Sequence, residues 1–234
     1  MNTFNYKNSY GLTALSATLA DFSYSKHSHN DYALGVTKRG IQHYELDGEL
    51  QLSHPGGVMQ FNPEQVHDGR AHDKNGLEYI MVYISPKMLT EAIGVNDGFK
   101  FTEPVIYDKV IQSLITQLTY GIFHQHSEIR CLELLTELAS QLNPMKSKII
   151  GKQDSLIQEI KESLHEKVKE ALVIDELSKE YGMSKFQFIR FFKEQTKTTP
   201  YQYFFESETR RNQKNNLRMK VMYTQSSLIT ILLI

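Results

Sequence analysis

Three histidines have the side chains and the spacing that favour chemistry. His27 and His29 stand two residues apart, and His67 follows a turn at Pro63. A β-strand through the first pair would place both imidazoles on one side, because side chains alternate along a strand. Imidazole nitrogens bind divalent metals, and they also serve as hydrogen-bonding groups in pockets. The pattern therefore predicts a metal site or a hydrogen-bonded pocket, and we favour the pocket.

The elements that position these histidines are predicted to be short strands. Between residues 27 and 85, apolar runs are separated by Gly, Pro, Asn and Asp, as in β-proteins. Apolar and polar residues alternate in Ile41–Leu46, which predicts a strand with one buried face. We expect a polar arm from Met1, a first strand over Leu15–Tyr24, and a small jelly-roll barrel.

The mouth of such a barrel is the expected small-molecule site. The side chains that we expect to line it with the histidines combine apolar bodies and hydroxyl tips: Tyr32, Leu34, Tyr79, Met81 and Tyr83. Tyr79, Met81 and Tyr83 fall on one side of a strand. The alternative interpretation of this stripe is ordinary core.

A helix-turn-helix is predicted between Val173 and Pro200. Its first helix covers about 175–181 and ends at Gly182, which can adopt positive φ. Ser184 stands three residues before Gln187, which is the spacing of a capping box. The second helix is expected to reach about Gln195.

The second helix has two different faces. Phe188, Phe191 and Phe192 share one face, and the other carries Phe186, Ile189, Arg190 and Lys193. Apolar atoms can contact thymine methyls and Arg can bind guanine, so the mixed face suits a major groove. A plain amphipathic hairpin is the alternative. Burial of Phe186 and Ile189, with Arg190 held beside them, would remove the mechanism.

The segment LSKEYGMSKFQFIRFFKEQTKTTPYQYF resembles the first helix-turn-helix of AraC/XylS-type transcription regulators. The matching residues are Leu177, Ser184, Arg190, Phe192, Lys193, Thr199, Pro200 and Tyr203. The resemblance implies base contacts from Phe186, Ile189 and Arg190, and phosphate contacts from Lys185 and Lys193. Ser184 completes the predicted DNA-binding set.

Residues 15–90 resemble the cupin-like sensor domain of the same family through HSHNDYALGVTKRG, GGVMQFNPEQVHDG and LEYIMVYIS. This resemblance implies a small-molecule effector. Cupins that bind metal usually add a Glu after the second His, whereas Asn30–Thr37 supplies only Asp31. The second motif also lacks its usual Gly, with Gln65 nearby. We therefore expect no metal and no cofactor.

Two amphipathic helices are predicted over Asp108–Tyr120 and Ser127–Leu142. One stripe holds Ile111, Leu114, Ile115 and Leu118, and the other holds Leu132, Leu135, Leu138 and Leu142. In the family, such a hairpin commonly forms a dimer interface. Packing against the barrel alone is the alternative. A linker then leads to a helix over Ser155–Glu166 that Asp154 can cap.

The family pattern ends after Phe205. A second helix-turn-helix would be expected there, but the chain continues as a basic stretch and an apolar tail, Leu228–Ile234. We interpret 206–234 as a truncated or frameshifted end that weakens DNA binding, because one recognition helix makes few contacts.

Composition is consistent with a regulator. The 234 residues carry a net charge of −1; residues 1–150 hold 12 Lys/Arg against 16 Asp/Glu, and 151–234 hold 14 against 11. A basic half suits a DNA reader. The chain has one cysteine, Cys131, and begins with a polar stretch that is not a secretory leader. Its longest apolar run is too short to cross a bilayer. These features predict a cytoplasmic protein without membrane contact.

The predicted fold is α+β, with five parts: a cupin-like barrel (1–107), a helical dimerisation hairpin (108–143), a linker (144–153), an all-α helix-turn-helix domain (154–205) and a tail (206–234). The predicted function is a ligand-responsive AraC-type transcription regulator, not an enzyme, with promoter DNA, a small-molecule effector and a second copy as partners. The alternatives are a cupin metalloenzyme using His27, His29 and His67, and a dimerising sensor that does not bind DNA.

Overall fold

The computed structural model describes residues 2–95, 99–142, 154–166, 174–206 and 209. The predicted linker and nearly all of the predicted tail lie outside these residues, and Asp154, the predicted cap, is the first residue of its helix. Among the described residues, no helix is both long and apolar enough to cross a membrane.

Within the described ranges, ten strands form two antiparallel sheets, as the jelly-roll prediction requires. The strands are β1 (Thr3–Ser9), β2 (Leu12–Leu19), β3 (Ser23–His27), β4 (Tyr32–Arg39), β5 (Gln42–Leu46), β6 (Glu49–Ser53), β7 (Val58–Phe61), β8 (His67–Ala71), β9 (Leu77–Ile84) and β10 (Val105–Ile106). One sheet has the order β1-β2-β9-β4-β7-β10 and the other β3-β8-β5-β6. Apolar side chains between the sheets form a core around Tyr44, Met59 and Leu77.

The N-terminal segment was predicted to be a polar arm, and it is instead a strand of the larger sheet. Residues Thr3–Ser9 form strand β1, which pairs with β2 through a two-residue turn at Tyr10 and Gly11. Both turn residues have positive φ, 55° and 76°, which is the geometry of a tight hairpin. The predicted strand Leu15–Tyr24 is in fact divided between β2 and β3.

Six helices are defined in the described part of the chain, and the second of them packs on one face of the larger sheet. They are α1 (Pro86–Ile93), α2 (Lys109–Phe123), α3 (Glu128–Leu142), α4 (Asp154–Glu166), α5 (Ile174–Glu180) and α6 (Lys185–Thr196). A further helical stretch begins at Pro200. Helix α2 packs on the sheet, α3 packs on α1 and α2, and α6 packs on α3.

The leucine stripes of α2 and α3 are mostly used inside the chain. Ile115, Leu118, Leu135 and Leu138 are fully buried in one core with the sheet and the other helices. These side chains therefore pack within the chain, as the alternative of packing against the barrel requires. Dimerisation through this hairpin stays a prediction.

The helix-turn-helix follows the predicted local chemistry closely. Gly182 has φ +64°, and the Ser184 hydroxyl accepts from the Gln187 N–H while the Gln187 side chain accepts from the Ser184 N–H. This reciprocal capping box begins α6 where the sequence places it. Phe188 is fully buried, with its ring 6.4 Å from that of Tyr181 and 6.3 Å from that of Phe192.

Replacing Phe188 by Ala should destabilise the helix-turn-helix by about 3–5 kcal/mol, because the change leaves a cavity among buried rings. Chemical denaturation followed by circular dichroism measures this loss. Phe205, which is 56% exposed, provides the matched control. Equal stabilities of Phe188→Ala and Phe205→Ala would show that the ring cluster does not hold these helices together.

Candidate functional site

A cavity of about 440 Å³ opens between the two sheets at one end of the barrel. Six of the predicted ligand-binding residues line it: His27, His29, His67, Tyr79, Met81 and Tyr83. Strand pairing places His27 opposite His67, and the centres of their rings are 4.5 Å apart. His29 lies in the loop after β3, not on the strand, and its ring centre is 5.1 Å from that of His67.

Tyr32 and Leu34 were predicted to line the same cavity, and this prediction is wrong. Both side chains belong to the core between the larger sheet and the helices. The Tyr32 hydroxyl donates to the Phe99 carbonyl. The reason is the alternation of β4, which directs Ala33 into the barrel and its neighbours toward the helices.

Sequence reasoning missed several lining residues, of which the most informative are Tyr6, Tyr24, Gln42 and Phe61. Tyr24 has its hydroxyl 2.8 Å from that of Tyr79. Tyr6 lies in β1, which was predicted to be an arm. The alternation of Gln42 and Tyr44 within the predicted strand Ile41–Leu46 was the only signal for Gln42.

The histidine tautomers follow from their backbone contacts. The Nδ1 atoms of His27, His29 and His67 lie 2.8 Å from the carbonyl oxygens of Ser25, Asp31 and Gln65. A carbonyl can only accept, so each Nδ1 must carry the hydrogen. In a neutral ring, Nε2 is then an acceptor. The Nε2 of His29 is buried without a hydrogen-bond partner among the described residues.

Burial favours the neutral forms of two histidines and two tyrosines that line the cavity. Desolvation lowers the pKa of His67 to about 4, and desolvation also lowers the pKa of His29. Desolvation raises the pKa of Tyr79 and Tyr83. At neutral pH the cavity therefore offers phenol hydroxyls and uncharged imidazole acceptors.

The three imidazoles share one feature with metal-bound histidines. A hydrogen bond from Nδ1 to a carbonyl is common for metal-bound histidine. However, no group of three His, Cys, Asp or Glu side chains within the described part of the chain is placed to hold a metal ion.

The predicted DNA-contact face of α6 is covered by the rest of the protein. We name Lys185, Phe186, Ile189, Arg190 and Lys193 the α6 contact face. Phe186 is only 4% exposed and Ile189 1%. Both side chains belong to the core that contains α1 and α3. The α6 contact face is thus not exposed for DNA, whereas the sequence had led us to expect that it is. In the absence of DNA, burial against the rest of the protein stabilises its apolar side chains.

The polar side chains of the α6 contact face are paired with groups on α1 and α3. Arg190 Nη1 donates to the carbonyls of Glu91 at 3.1 Å and Ala92 at 2.7 Å, at the end of α1. Lys185 Nζ donates to Glu128 at 2.7 Å, and Lys193 forms an ion pair with Glu137. Desolvation lowers the pKa of Arg190. The predicted contact residue Ser184 caps α6.

The sequence of the chain matches one family model, described as the AraC-like ligand binding domain, over residues 9–142. The uncharacterized HTH-type transcriptional regulator YbfI of Bacillus subtilis (strain 168) is 23% identical over 189 residues, which are 77% of this chain and 69% of the relative.

Among solved structures, the AraC-like transcriptional activator CuxR has 13% identity and a TM-score of 0.44, with 91% of this chain and 79% of that chain covered. The cupin domain of an XRE family transcriptional regulator from Enterobacter cloacae has 16% identity and a TM-score of 0.33, over 36% of this chain and 97% of that one. Because the family model spans more than half of the residues, the chain belongs to the family of AraC-like ligand binding domains.

Proposed function

We propose that this protein is a ligand-responsive transcription regulator of the AraC type. The barrel binds a small effector, and α6 contacts promoter DNA. The observation that carries the proposal is a capped helix-turn-helix with an apolar and cationic face, joined to a domain of the AraC-like ligand-binding family. The name of the Bacillus relative, a transcriptional regulator with a helix-turn-helix, supports it. Homodimerisation and a cytoplasmic location remain predictions.

The cavity favours a neutral or cationic effector that is rich in hydroxyl or N–H donors. The buried Nε2 of His29 and Oε1 of Gln42 are acceptors without a hydrogen-bond partner in the described ranges. Asp31 and Asp68 stand at the cavity, and none of its described lining residues is Lys or Arg. An anionic ligand would therefore meet carboxylates and find no cation. Phe61 and Met81 supply apolar surface for the carbon skeleton.

The burial of Phe186 and Ile189, with Arg190 held by the end of α1, removes the DNA-contact mechanism in the arrangement seen here. DNA binding therefore requires that the α6 contact face leave α1 and α3. The structure then represents the DNA-free arrangement. A second candidate function follows from the same burial: a sensor that does not bind DNA. A gel-shift series against salt separates the two, since phosphate contacts weaken steeply as salt rises.

Replacing Arg190 by Ala should relax sequence preference at one base position, where a bidentate arginine contributes about 1–3 kcal/mol of discrimination. Selection from random DNA fragments, followed by competition binding, measures the preference. Arg39→Ala is the control, because Arg39 pairs with Glu78 on the barrel surface. Identical preferences for wild type and Arg190→Ala would contradict the assigned role.

Effector binding should be visible as a rise in melting temperature with donor-rich neutral or cationic compounds, and not with carboxylates or phosphates. The shift should disappear in His29→Ala, which removes a buried acceptor, and persist in His54→Ala, since His54 is exposed. A screen in which only anions stabilise the protein would refute the assigned ligand class.

The stability of the barrel should fall as pH decreases from about 6.5 to about 4. The pKa of His67 is near 4 when folded and about 6.5 when unfolded, so the unfolded chain binds a proton first. The linkage contributes up to about 3 kcal/mol to the free energy of unfolding. This contribution is fully present above pH 6.5 and is lost as the pH falls toward 4. Urea denaturation at several pH values measures it.

In His67→Gln the slope between pH 6.5 and 4 should become shallower than in the exposed-site control His54→Gln. A remaining slope is expected from His29, whose pKa burial also lowers. Parallel curves for the two variants would show that His67 is not neutralised by burial.

A further inference from the structure

The surface that covers the α6 contact face is made of groups that resemble those of DNA. Glu128 and Glu137 lie nine residues apart on α3, and their carboxylates pair with Lys185 and Lys193. These are the two lysines assigned to phosphates. A carboxylate and a phosphate oxygen make the same charge-assisted hydrogen bond to a lysine.

The contact made by Arg190 follows the same logic. Its Nη1 donates to two neighbouring carbonyl oxygens, those of Glu91 and Ala92. The last carbonyls of a helix carry partial negative charge. That of Glu91 also accepts from the Gly94 N–H, which caps α1. Guanine presents a comparable pair of acceptors, O6 and N7, to an arginine.

A third carboxylate of α3 contacts the segment that follows α6. Glu133, which is buried, accepts a hydrogen bond from the Tyr201 N–H at 2.7 Å, in the first turn of the helical stretch after Pro200. Backbone N–H groups at helix N-termini are positions at which phosphates bind. Phosphate-like acceptors on α3 thus face α6 at two places and the segment after α6 at a third.

We propose that α3 and the C-terminal end of α1 form a DNA-mimicking surface, which occupies the α6 contact face and competes with DNA for it. The inference rests on the proposed function, because it takes α6 as the DNA reader. The partner that fits this surface is the chain's own helix-turn-helix. One set of side chains cannot contact α3 and DNA at the same time, so the two contacts exclude each other. The apparent affinity for DNA is therefore the intrinsic affinity multiplied by the fraction of molecules in which the α6 contact face is free.

The test is a double substitution on the mimicking surface, Glu128→Gln with Glu137→Gln, in the full chain. Both side chains are about one-third exposed and glutamine keeps their size, so the fold should persist. Each ion pair changes an equilibrium by at most about five-fold. We expect the variant to bind DNA about 3-fold to 20-fold more tightly, and residues 185–196 to exchange amide hydrogens faster without DNA.

The matched control is Glu45→Gln with Glu78→Gln. It makes the same change in net charge and also removes two ion pairs, to Lys26 and Arg39, but on the barrel surface. A general charge effect would tighten DNA binding equally in both double variants, and that result would overturn the proposal. So would a wild type that binds DNA while Glu128→Gln/Glu137→Gln changes neither affinity nor exchange.

The proposed function fails separately. If exchange of residues 185–196 rises in Glu128→Gln/Glu137→Gln but no form of the chain binds DNA even at low salt, then the contact between α3 and α6 is real and α6 is not a DNA reader. That outcome overturns both the DNA imitation and the regulator function, and it favours a sensor without DNA.

Discussion

Helix α6 is apolar on two sides, and the need to bury both sides is the constraint on which the remaining architecture depends. Phe188 and Phe192 complete the core of the helix-turn-helix, while Phe186 and Ile189 extend the core that begins at the barrel. Burial of a large apolar side chain stabilises by about 1.5–3 kcal/mol. A helix with this composition therefore needs a partner at all times, which is α3 in the free protein and, in the proposed function, DNA in the complex.

The barrel supplies the rigid support for both functional surfaces. Its interior holds the cavity, and the outer face of its larger sheet carries α2, on which α3 is packed. The cavity and the helices thus lie on opposite faces of the same strands. Tyr79 and Met81 in β9 face the cavity, whereas Val82 and Ile84 face the helices.

Local patterns predicted the architecture well and tertiary placement poorly. The α+β fold and the family assignment are confirmed, and the capping box at Ser184 begins α6 as predicted. Periodicity also grouped Tyr79, Met81 and Tyr83 correctly. It could not decide which side of β4 faces the cavity, so Tyr32 was misplaced. Nor could one helix's pattern show that Phe186 and Ile189 meet α3, since that contact joins segments about 50 residues apart in sequence.

The central claim is that the face of α6 held by α3 is the face that reads DNA. Spin labels on cysteines introduced at Lys109, at the start of α2, and at exposed Gln202 would report the distance between α2 and the segment after α6 by pulsed electron paramagnetic resonance. The native Cys131 is buried, so the label should attach at the introduced positions. The account predicts one narrow distance in the free protein and a longer one with DNA recovered by selection. The distance between Lys38 on the barrel and Lys109 on α2, which packs on the barrel, should stay unchanged. An unaltered Lys109–Gln202 distance at saturating DNA would contradict it.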